Sequence, residues 1–327
     1  MRVVLQSELF EPPVQDATLI SFFNYALDDR HRIEADLHDP VVAAWLAGQS
    51  RGIQQDIQLA IDSSAELEAR EPAVIRVVVG RFVASDFGVD PLRIRLQDGA
   101  TFLERPLSLL LEDAVADRAF LMAMLTSEER RSLERHLARG YVQVEHGGGL
   151  GPMRARVLDR RPEPSTRHRL WVLFDSDSLQ PNLPSAQSEA LRTACADIPH
   201  YQLSRRHIES YIPGPALNAW AYVVATGRSA RRRRAAILDA FFRLRDVQRH
   251  HFNMKGGFAG DTGRTDASSG HLYDDVGDAD NAVLANGFGP QVGRLFQTGH
   301  VTEPDLRRDS GWSELRPAME RLVTLMR

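Results

Sequence analysis

The chain has 327 residues, of which 43% are hydrophobic and 26% charged, and its formal net charge is −4. This composition is typical of a globular protein with a sizeable core, and the length predicts about two domains. No apolar run is long enough for a membrane span or a signal peptide, so we expect a cytoplasmic protein without a membrane partner. The single cysteine, Cys195, excludes an internal disulfide and fits a reducing compartment. The charge balance excludes an overall basic surface, so a nucleic-acid partner would need a local basic patch.

The first part of the chain predicts an α+β extension. Residues 1–9, 74–83 and 92–96 have the β-branched or alternating pattern of strands, whereas residues 40–69 place apolar side chains at helical spacing. The charged residues 28–39 favour a solvated connector over a functional site. This extension carries no chemical motif, and dimerisation or partner binding is its default role.

A buried strand that ends on an acidic residue is predicted at residues 107–111. This leucine-rich run leads into Glu112 and then directly into an amphipathic helix over residues 114–125. Ligands of open α/β sheets bind beyond the carboxyl ends of the strands, so Glu112 is a candidate ligand-binding carboxylate. Asp113 suits the positive end of the helix dipole, and Asp117 is either a metal ligand or a surface charge of the helix.

A glycine cluster at residues 146–151 follows a predicted strand at residues 141–145 and precedes a predicted helix. The backbone N–H groups of such a cluster can hold a phosphate; a tight turn that permits close backbone contact is the alternative. The cluster lacks the lysine and spacing of a P-loop and the dinucleotide-binding fingerprint. Arginines within residues 154–169 supply positive charge nearby, for phosphate binding or for solubility.

Two carboxylates follow a second apolar strand, predicted at residues 170–174. Asp175 and Asp177 are two positions apart, so on an extended chain their side chains point the same way. Adjacent carboxylates repel each other unless a positive charge neutralises them. Mg²⁺, or Mn²⁺ in its place, prefers oxygen ligands and is the expected cofactor. Capping of the next helix is the alternative role for these residues.

The order of strand and glutamate, helix, strand, helix, strand and Asp-x-Asp resembles the TOPRIM domain of topoisomerases, primases and overcoming-lysogenization-defect nucleases. The nearest likeness is to the standalone TOPRIM effector nucleases of phage-defence systems such as PARIS, and it covers roughly residues 105–213. Those nucleases carry a later Ile-Glu-Asn-Tyr-Leu-like motif, which residues 208–212 resemble. The resemblance implies a metal-linked role for Glu209.

The chain departs from this family at the first acidic motif. The family has glycine directly after the first glutamate and an acidic residue four positions on. Here Asp113 follows Glu112, and Asp117 lies five positions on. Either the turn is remodelled, or Asp117 lies outside the site.

Residues 214–327 predict a mainly helical region with a basic run and a Gly- and Asp-rich loop at residues 260–280. The basic run is the strongest in the chain and favours contact with a nucleic-acid backbone over a solvated helix face. Lys255 precedes two glycines and is interpreted as a mobile cation for a scissile phosphate. The predicted nucleic-acid contacts are Arg205, Arg206, Arg231, Arg232, Arg233 and Arg234.

The sequence therefore predicts an α/β protein with a TOPRIM-like, mostly parallel sheet at residues 105–213, between the extension of residues 1–104 and the helical region of residues 214–327. The resemblance implies a Mg²⁺- or Mn²⁺-dependent endonuclease that cuts DNA or tRNA in phage defence, with a partner ATPase and homo-oligomers left open. A non-catalytic protein that binds nucleic acid or a partner ATPase is the alternative, and a phosphohydrolase of small phosphate esters is a third hypothesis. The predicted catalytic residues are Glu112, Asp175, Asp177, Glu209 and Lys255, and the predicted metal ligands are Glu112, Asp117, Asp175, Asp177 and Glu209.

Overall fold

The computed structural model describes residues 1–73, 75–262 and 270–326. It contains two four-stranded sheets in which every strand pair is parallel. Helices connect successive strands of each sheet, except that residues 81–91 join the last two strands of the first sheet without a helix. The chain is therefore an α/β protein, as predicted. Val74, the first residue of a predicted strand, and residues 263–269 of the predicted Gly- and Asp-rich loop lie outside the described residues.

The N-terminal unit is α/β, and the prediction of an α+β extension was wrong because all its strands pair in parallel. Its strands are β1 (Arg2–Leu5), β2 (Arg32–Glu34), β3 (Arg76–Gly80) and β4 (Leu92–Arg95). They lie in the order β2-β1-β3-β4. Its helices are α1 (Asp16–Leu27), α2 (Pro40–Ala47), α3 (Arg51–Arg70) and α4 (Leu96–Glu104).

Strand β2 lies in the charged segment that we predicted to be a solvated connector, and that prediction was also wrong. Arg30, His31 and Arg32 are each no more than 3% exposed. The charge of Arg32 is compensated by Glu68 of α3, 2.6 Å away. Local charge content could not show this, because a buried ion pair depends on a partner far away in the sequence.

The central sheet contains β5 (Leu107–Leu111), β6 (Val142–His146), β7 (Leu170–Phe174) and β8 (His200–Gln202). These four predicted strands lie in the order β6-β5-β7-β8. The helices that follow them are α5 (Ala116–Met124), α6 (Ser127–Ala138), α7 (Leu150–Arg160), α8 (Pro164–Arg167) and α9 (Ala186–Ala194). Helix α6 begins with a capping box in which Thr126 and Glu129 satisfy each other's backbone N–H groups.

The two central strands, β5 and β7, are apolar along their whole length because both faces of the sheet are covered. Leu109 and Trp171 point to one face, where they join a core formed with the C-terminal helices. Leu110 and Val172 point to the other face, where they pack against α7 and α9. The continuous apolar run is thus a direct consequence of a two-sided core.

The C-terminal region is mainly helical, as predicted, and packs on the first of these faces. Its helices are α10 (Gly214–Tyr222), α11 (Arg228–Arg243), α12 (Asp246–His251), α13 (Asp278–Leu284), α14 (Glu303–Arg308) and α15 (Ser310–Met326). Short 3-10 turns lie at Ile208–Tyr211 and Val292–Gln297. Trp220 and Met319 share one hydrophobic cluster with Leu109 of the sheet. The boundary that we predicted after residue 213 therefore does not separate two cores.

Candidate functional site

The carboxyl edge of the central sheet brings the predicted acidic residues together. Leu111 of β5 pairs with Leu173 of β7. Glu112, the residue after β5, therefore lies beside Phe174, the residue before Asp175. Neighbouring strands lie about 4.8 Å apart, which places the two carboxylates at adjacent strand ends. The backbone turns at Asp177, whose φ is +51° and whose N–H donates to the carbonyl of Arg206 at 2.9 Å.

The ionisation of these carboxylates shows that they act on one another. Burial, and then the charge of Asp177, raises the pKa of Glu112 to about 7. Burial also raises the pKa of Asp175 well above its ordinary value, and Glu112 and Asp117 raise it further. Like charges have this effect only at short range in a poorly solvated site. The edge is therefore a cluster in which negative charge is costly.

Asp117 belongs to this cluster, although its spacing differs from the family pattern. Its side chain is buried and accepts a hydrogen bond from the backbone N–H of Asp113 at 2.9 Å. Burial raises the pKa of Asp117 to about 7 against the effect of that hydrogen bond. Helix α5 begins at Ala116, so Asp117 lies in its first turn.

Asp113 lies just before helix α5, at the positive end of the helix dipole, as the sequence suggested. Its carboxylate accepts hydrogen bonds from the backbone N–H groups of Val115 at 2.7 Å and Ala116 at 3.1 Å. The bond from Val115 is the largest cause of the lowered pKa of Asp113. This residue therefore fixes the turn between Glu112 and helix α5.

Glu209 and Lys255 reach the cluster from outside the sheet. Glu209 lies in the 3-10 turn Ile208–Tyr211 and is 1% exposed. Its Oε1 lies 3.1 Å from Nζ of Lys255, which is 47% exposed. Burial opposes the charge on Lys255, but Glu209 and Asp175 outweigh it, and the net shift of its pKa is upward. The structure thus places the positively charged ammonium group of Lys255 beside the carboxylates, where it is half exposed.

The glycine cluster forms a tight turn against the end of β5. The backbone N–H groups of Gly147 and Gly148 both donate hydrogen bonds within the chain. Gly147 donates to the carbonyl of Leu111 at 2.6 Å, and Gly148 donates to that of Glu112 at 3.1 Å. A Cβ at Gly147 would lie 2.2 Å from Met153. Gly148 has a φ of +76°, which glycine adopts most readily. The close-contact interpretation of this motif therefore fits the structure.

A buried polar network behind the Asp-x-Asp turn was missed at the level of sequence. Ser176 Oγ lies 2.9 Å from Ser178 Oγ, which in turn lies 2.9 Å from Nδ1 of His251. Ser176 also donates to the carbonyl of Arg205 at 2.8 Å. The serines between and after the two aspartates therefore tie the turn to helix α12. Ser-rich composition around Asp175 was the only local signal for it.

Gly293 is a second residue that sequence reasoning missed. A Cβ at this position would lie 2.5 Å from Oε1 of Glu209. The 3-10 turn Val292–Gln297 therefore presses its backbone directly against the glutamate. No motif surrounds Gly293, so only the tertiary structure relates it to the cluster.

Arg205 and Arg206 do not lie on a nucleic-acid surface, and the prediction for them is corrected. Each is 3% exposed. Arg205 is bound to Asp309 at 2.6 Å, and Arg206 to Asp261 through both nitrogens of its fork, one at 2.7 Å. A buried arginine requires such a partner, and these pairs join the central unit to the C-terminal helices.

The basic run Arg231–Arg234 lies near the start of helix α11, and its four arginines fall into two pairs with different surroundings. Arg231 donates to the carbonyl of Ala225 at 3.2 Å, while Arg234 donates to that of Trp220 at 2.8 Å and stacks on its ring. These two close the turn between α10 and α11. Arg232 and Arg233 are exposed and remain candidates for contact with a phosphate backbone.

The donor set of the cluster fits a hard divalent cation. Oε2 of Glu112 and Oε2 of Glu209 are buried and have no hydrogen-bond partner. Buried carboxylate oxygens without partners are costly unless a cation or a proton satisfies them. Among residues 1–73, 75–262 and 270–326, no three acidic, histidine or cysteine side chains are drawn into a closed ligand set.

No protein-family model, curated protein or solved structure matches the chain. In the part of the chain that the structure describes, none of the helices combines the length and apolar character needed to cross a bilayer.

Proposed function

We propose that the protein is a divalent-metal-dependent nuclease with a TOPRIM-like centre. The observation that supports this proposal most is the convergence of carboxylates from separate segments on one sheet edge, where burial first and neighbouring carboxylates second raise the pKa values of Glu112, Asp117 and Asp175. Perturbed pKa values of this kind cluster at functional sites. The order of the acidic motifs along the chain supports the TOPRIM resemblance in particular.

In this proposal Glu112, Asp175 and Asp177 hold Mg²⁺ or Mn²⁺, and Glu209 and Asp117 complete or orient the ligand set. When bound, the metal polarises a phosphodiester and lowers the pKa of an attacking water. The protein contributes a rigid turn at each ligand and a partly water-free edge. Lys255, half exposed and held by Glu209, supplies positive charge to an entering phosphate.

The substrate of the proposal is DNA or tRNA, gripped by the exposed arginines of α11. The resemblance to defence nucleases further suggests that a partner ATPase holds the enzyme silent. Cleavage by the isolated protein could then be low, so the decisive test needs a readout besides activity. Metal binding provides it.

The test compares Glu112→Gln with Glu189→Gln, a substitution of the same type at an exposed glutamate of α9. We expect wild type and Glu189→Gln to bind Mn²⁺ and to cut plasmid DNA or tRNA only with metal. We expect Glu112→Gln to lose cleavage by at least about 100-fold and to bind Mn²⁺ more weakly. Metal-dependent cleavage retained in Glu112→Gln would exclude the proposal. Nucleic-acid binding without Mn²⁺ binding in wild type would favour the non-catalytic alternative.

A further inference from the structure

A polar cavity of about 410 Å³ lies on the segment that carries Glu209 into the cluster. Arg205 and Ser210 of that segment form one wall, and the other walls come from helices α10, α11 and α12, from the end of α14 and from the start of α15. Three arginines and two aspartates line the cavity, so the lining side chains together carry one net positive charge. Its volume is within the range of sites for small ligands.

Arg205 is the buried arginine of this cavity. Its side chain is 3% exposed and donates to the carbonyl of Ser210 at 2.8 Å, to Asp309 at 2.6 Å and to Ser310 Oγ at 3.0 Å. Its guanidinium also lies 4.5 Å from the ring of Tyr211. Arg205 also lies 3.7 Å from Glu314, so two carboxylates compensate its charge, and the arginines left for a ligand are the other two of the lining.

Those two arginines, Arg249 and Arg308, are positioned to bind a ligand. Arg249 contacts Asp246, donates to the carbonyls of Phe242 and Leu244 and is 28% exposed. Arg308 is 78% exposed and lies 3.4 Å from Asp305, which is outside the lining. Burial and the charge of Arg205 lower the pKa of His250, also in the lining, to about 4, so its ring is neutral at physiological pH. Planar arginine forks match the oxygens of a phosphate better than a point charge does.

One wall of the cavity carries aromatic rings. Phe241 is buried, but Phe242 is 42% exposed, and the guanidinium of Arg249 lies 5.9 Å from its ring. An exposed ring beside an arginine is a stacking surface for a nucleobase. The lining therefore offers a phosphate site and a base site within one small volume.

We propose that this cavity binds a nucleoside phosphate, with the phosphate on Arg249 and Arg308 and the base against Phe242. The ligand is either a free nucleotide or the phosphorylated end of a nucleic-acid strand, which present the same chemistry. Neither a metal ion nor cleavage is needed for this binding. The inference therefore does not depend on the proposed nuclease function.

The test uses calorimetric titration of the full-length, metal-free protein with four ligands. They are AMP, inorganic phosphate, adenosine and a 5′-phosphorylated dinucleotide. We expect AMP to bind with a Kd below about 1 mM, and adenosine to bind at least about tenfold more weakly because it lacks the phosphate. Tighter binding of the dinucleotide than of AMP assigns the site to a strand end, and the reverse order assigns it to a free nucleotide.

Variants locate the binding. Arg308→Gln removes an exposed side chain with little risk to folding, and we expect it to raise the Kd for AMP about tenfold. Its matched control is Arg192→Gln, because Arg192 is also exposed and paired with an acid three residues away, but lies outside the cavity. Phe242→Ala should weaken the binding of AMP more than the binding of inorganic phosphate.

Three results would overturn the inference. They are no binding of any of the four ligands to folded wild type, equal binding by Arg308→Gln and Arg192→Gln, and loss of AMP binding in Glu112→Gln. The last result would place the nucleotide at the carboxylate cluster instead. Failure of the nuclease test alone leaves the cavity unaffected, so the two proposals can be rejected separately.

Discussion

Removing one charge from the carboxylate cluster should stabilise the metal-free protein, and Glu112→Gln tests this directly. Burial and neighbouring carboxylates raise the pKa of Glu112 from 4.5 to about 7, so its ionised form is less favourable in the folded than in the unfolded chain. At about 1.4 kcal/mol per pKa unit, this difference limits the stabilisation by Glu112→Gln to about 3 kcal/mol. Because the titration of Glu112 is coupled to that of its neighbours, we give the expected effect as a range: Glu112→Gln should raise the free energy of unfolding by about 1 to 3 kcal/mol at pH 8.

The sign of the effect follows from proton linkage. Between about pH 4.5 and 7 the folded chain binds more protons at Glu112 than the unfolded chain, so the contribution of this residue to stability falls as pH rises. The stabilisation by Glu112→Gln should therefore appear at pH 8 and vanish near pH 4. Oε2 of Glu112 has no hydrogen-bond partner, so the substitution removes no bond to that oxygen.

The assay is urea unfolding with EDTA, repeated with saturating Mn²⁺. Metal that binds only the folded state at about 100 times its Kd adds about 2.7 kcal/mol, and wild type should gain more than the variant. The stability advantage of Glu112→Gln over wild type should therefore shrink or reverse on metal addition. Glu189→Gln should change the free energy of unfolding by less than about 1 kcal/mol in both conditions, since its ion pair is exposed. A variant less stable than wild type in EDTA at pH 8 would refute the reasoning.

Three further predictions concern other parts of the fold. His31 is buried and the pKa of its ring is lowered, first by burial, so wild type should lose stability relative to His31→Gln as pH falls below 6.5, by up to about 1.4 kcal/mol per pH unit in urea unfolding. Gly293→Ala should weaken Mn²⁺ binding about tenfold or more in titrations, because its methyl group would displace the carboxylate of Glu209. Arg232→Gln combined with Arg233→Gln should weaken binding of duplex DNA of any sequence and reduce its dependence on salt, by a slope of about 2 in a log–log plot.

Each of these predictions has its own control. Gly151→Ala adds a methyl group where no heavy atom lies within 4 Å, so it should leave Mn²⁺ binding unchanged. Arg192→Gln serves again as the control for the exposed arginines of α11. For the histidine, identical pH profiles of wild type and His31→Gln would contradict the assignment.

The strands and the acidic edge of the central sheet follow from the sequence alone. Apolar runs such as residues 170–174 are long enough for a strand and too short for most helices, and their end on a carboxylate marks the sheet edge that binds ligands. The apolar runs before Glu112 and Asp175 suffice to predict that these residues lie on one edge of a parallel sheet, whereas only the structure shows that β5 and β7 are neighbours. The apolar runs and the carboxylates after them are local properties of the chain.

The tertiary structure alone decided which remote residues complete or line the site. The contact between Lys255 and Glu209, the backbone of Gly293 against that glutamate, and the burial of Arg205 all join segments that are far apart in sequence or not marked by any motif. The same holds for strand β2, whose charged sequence is buried because α3 supplies its counter-charge. Sequence thus determined where the carboxylates follow their strands. Long-range packing determined which charges are paired, buried or left open to a ligand. The reason is that the free-energy cost of a charge depends on its surroundings in space and not on its neighbours in the chain.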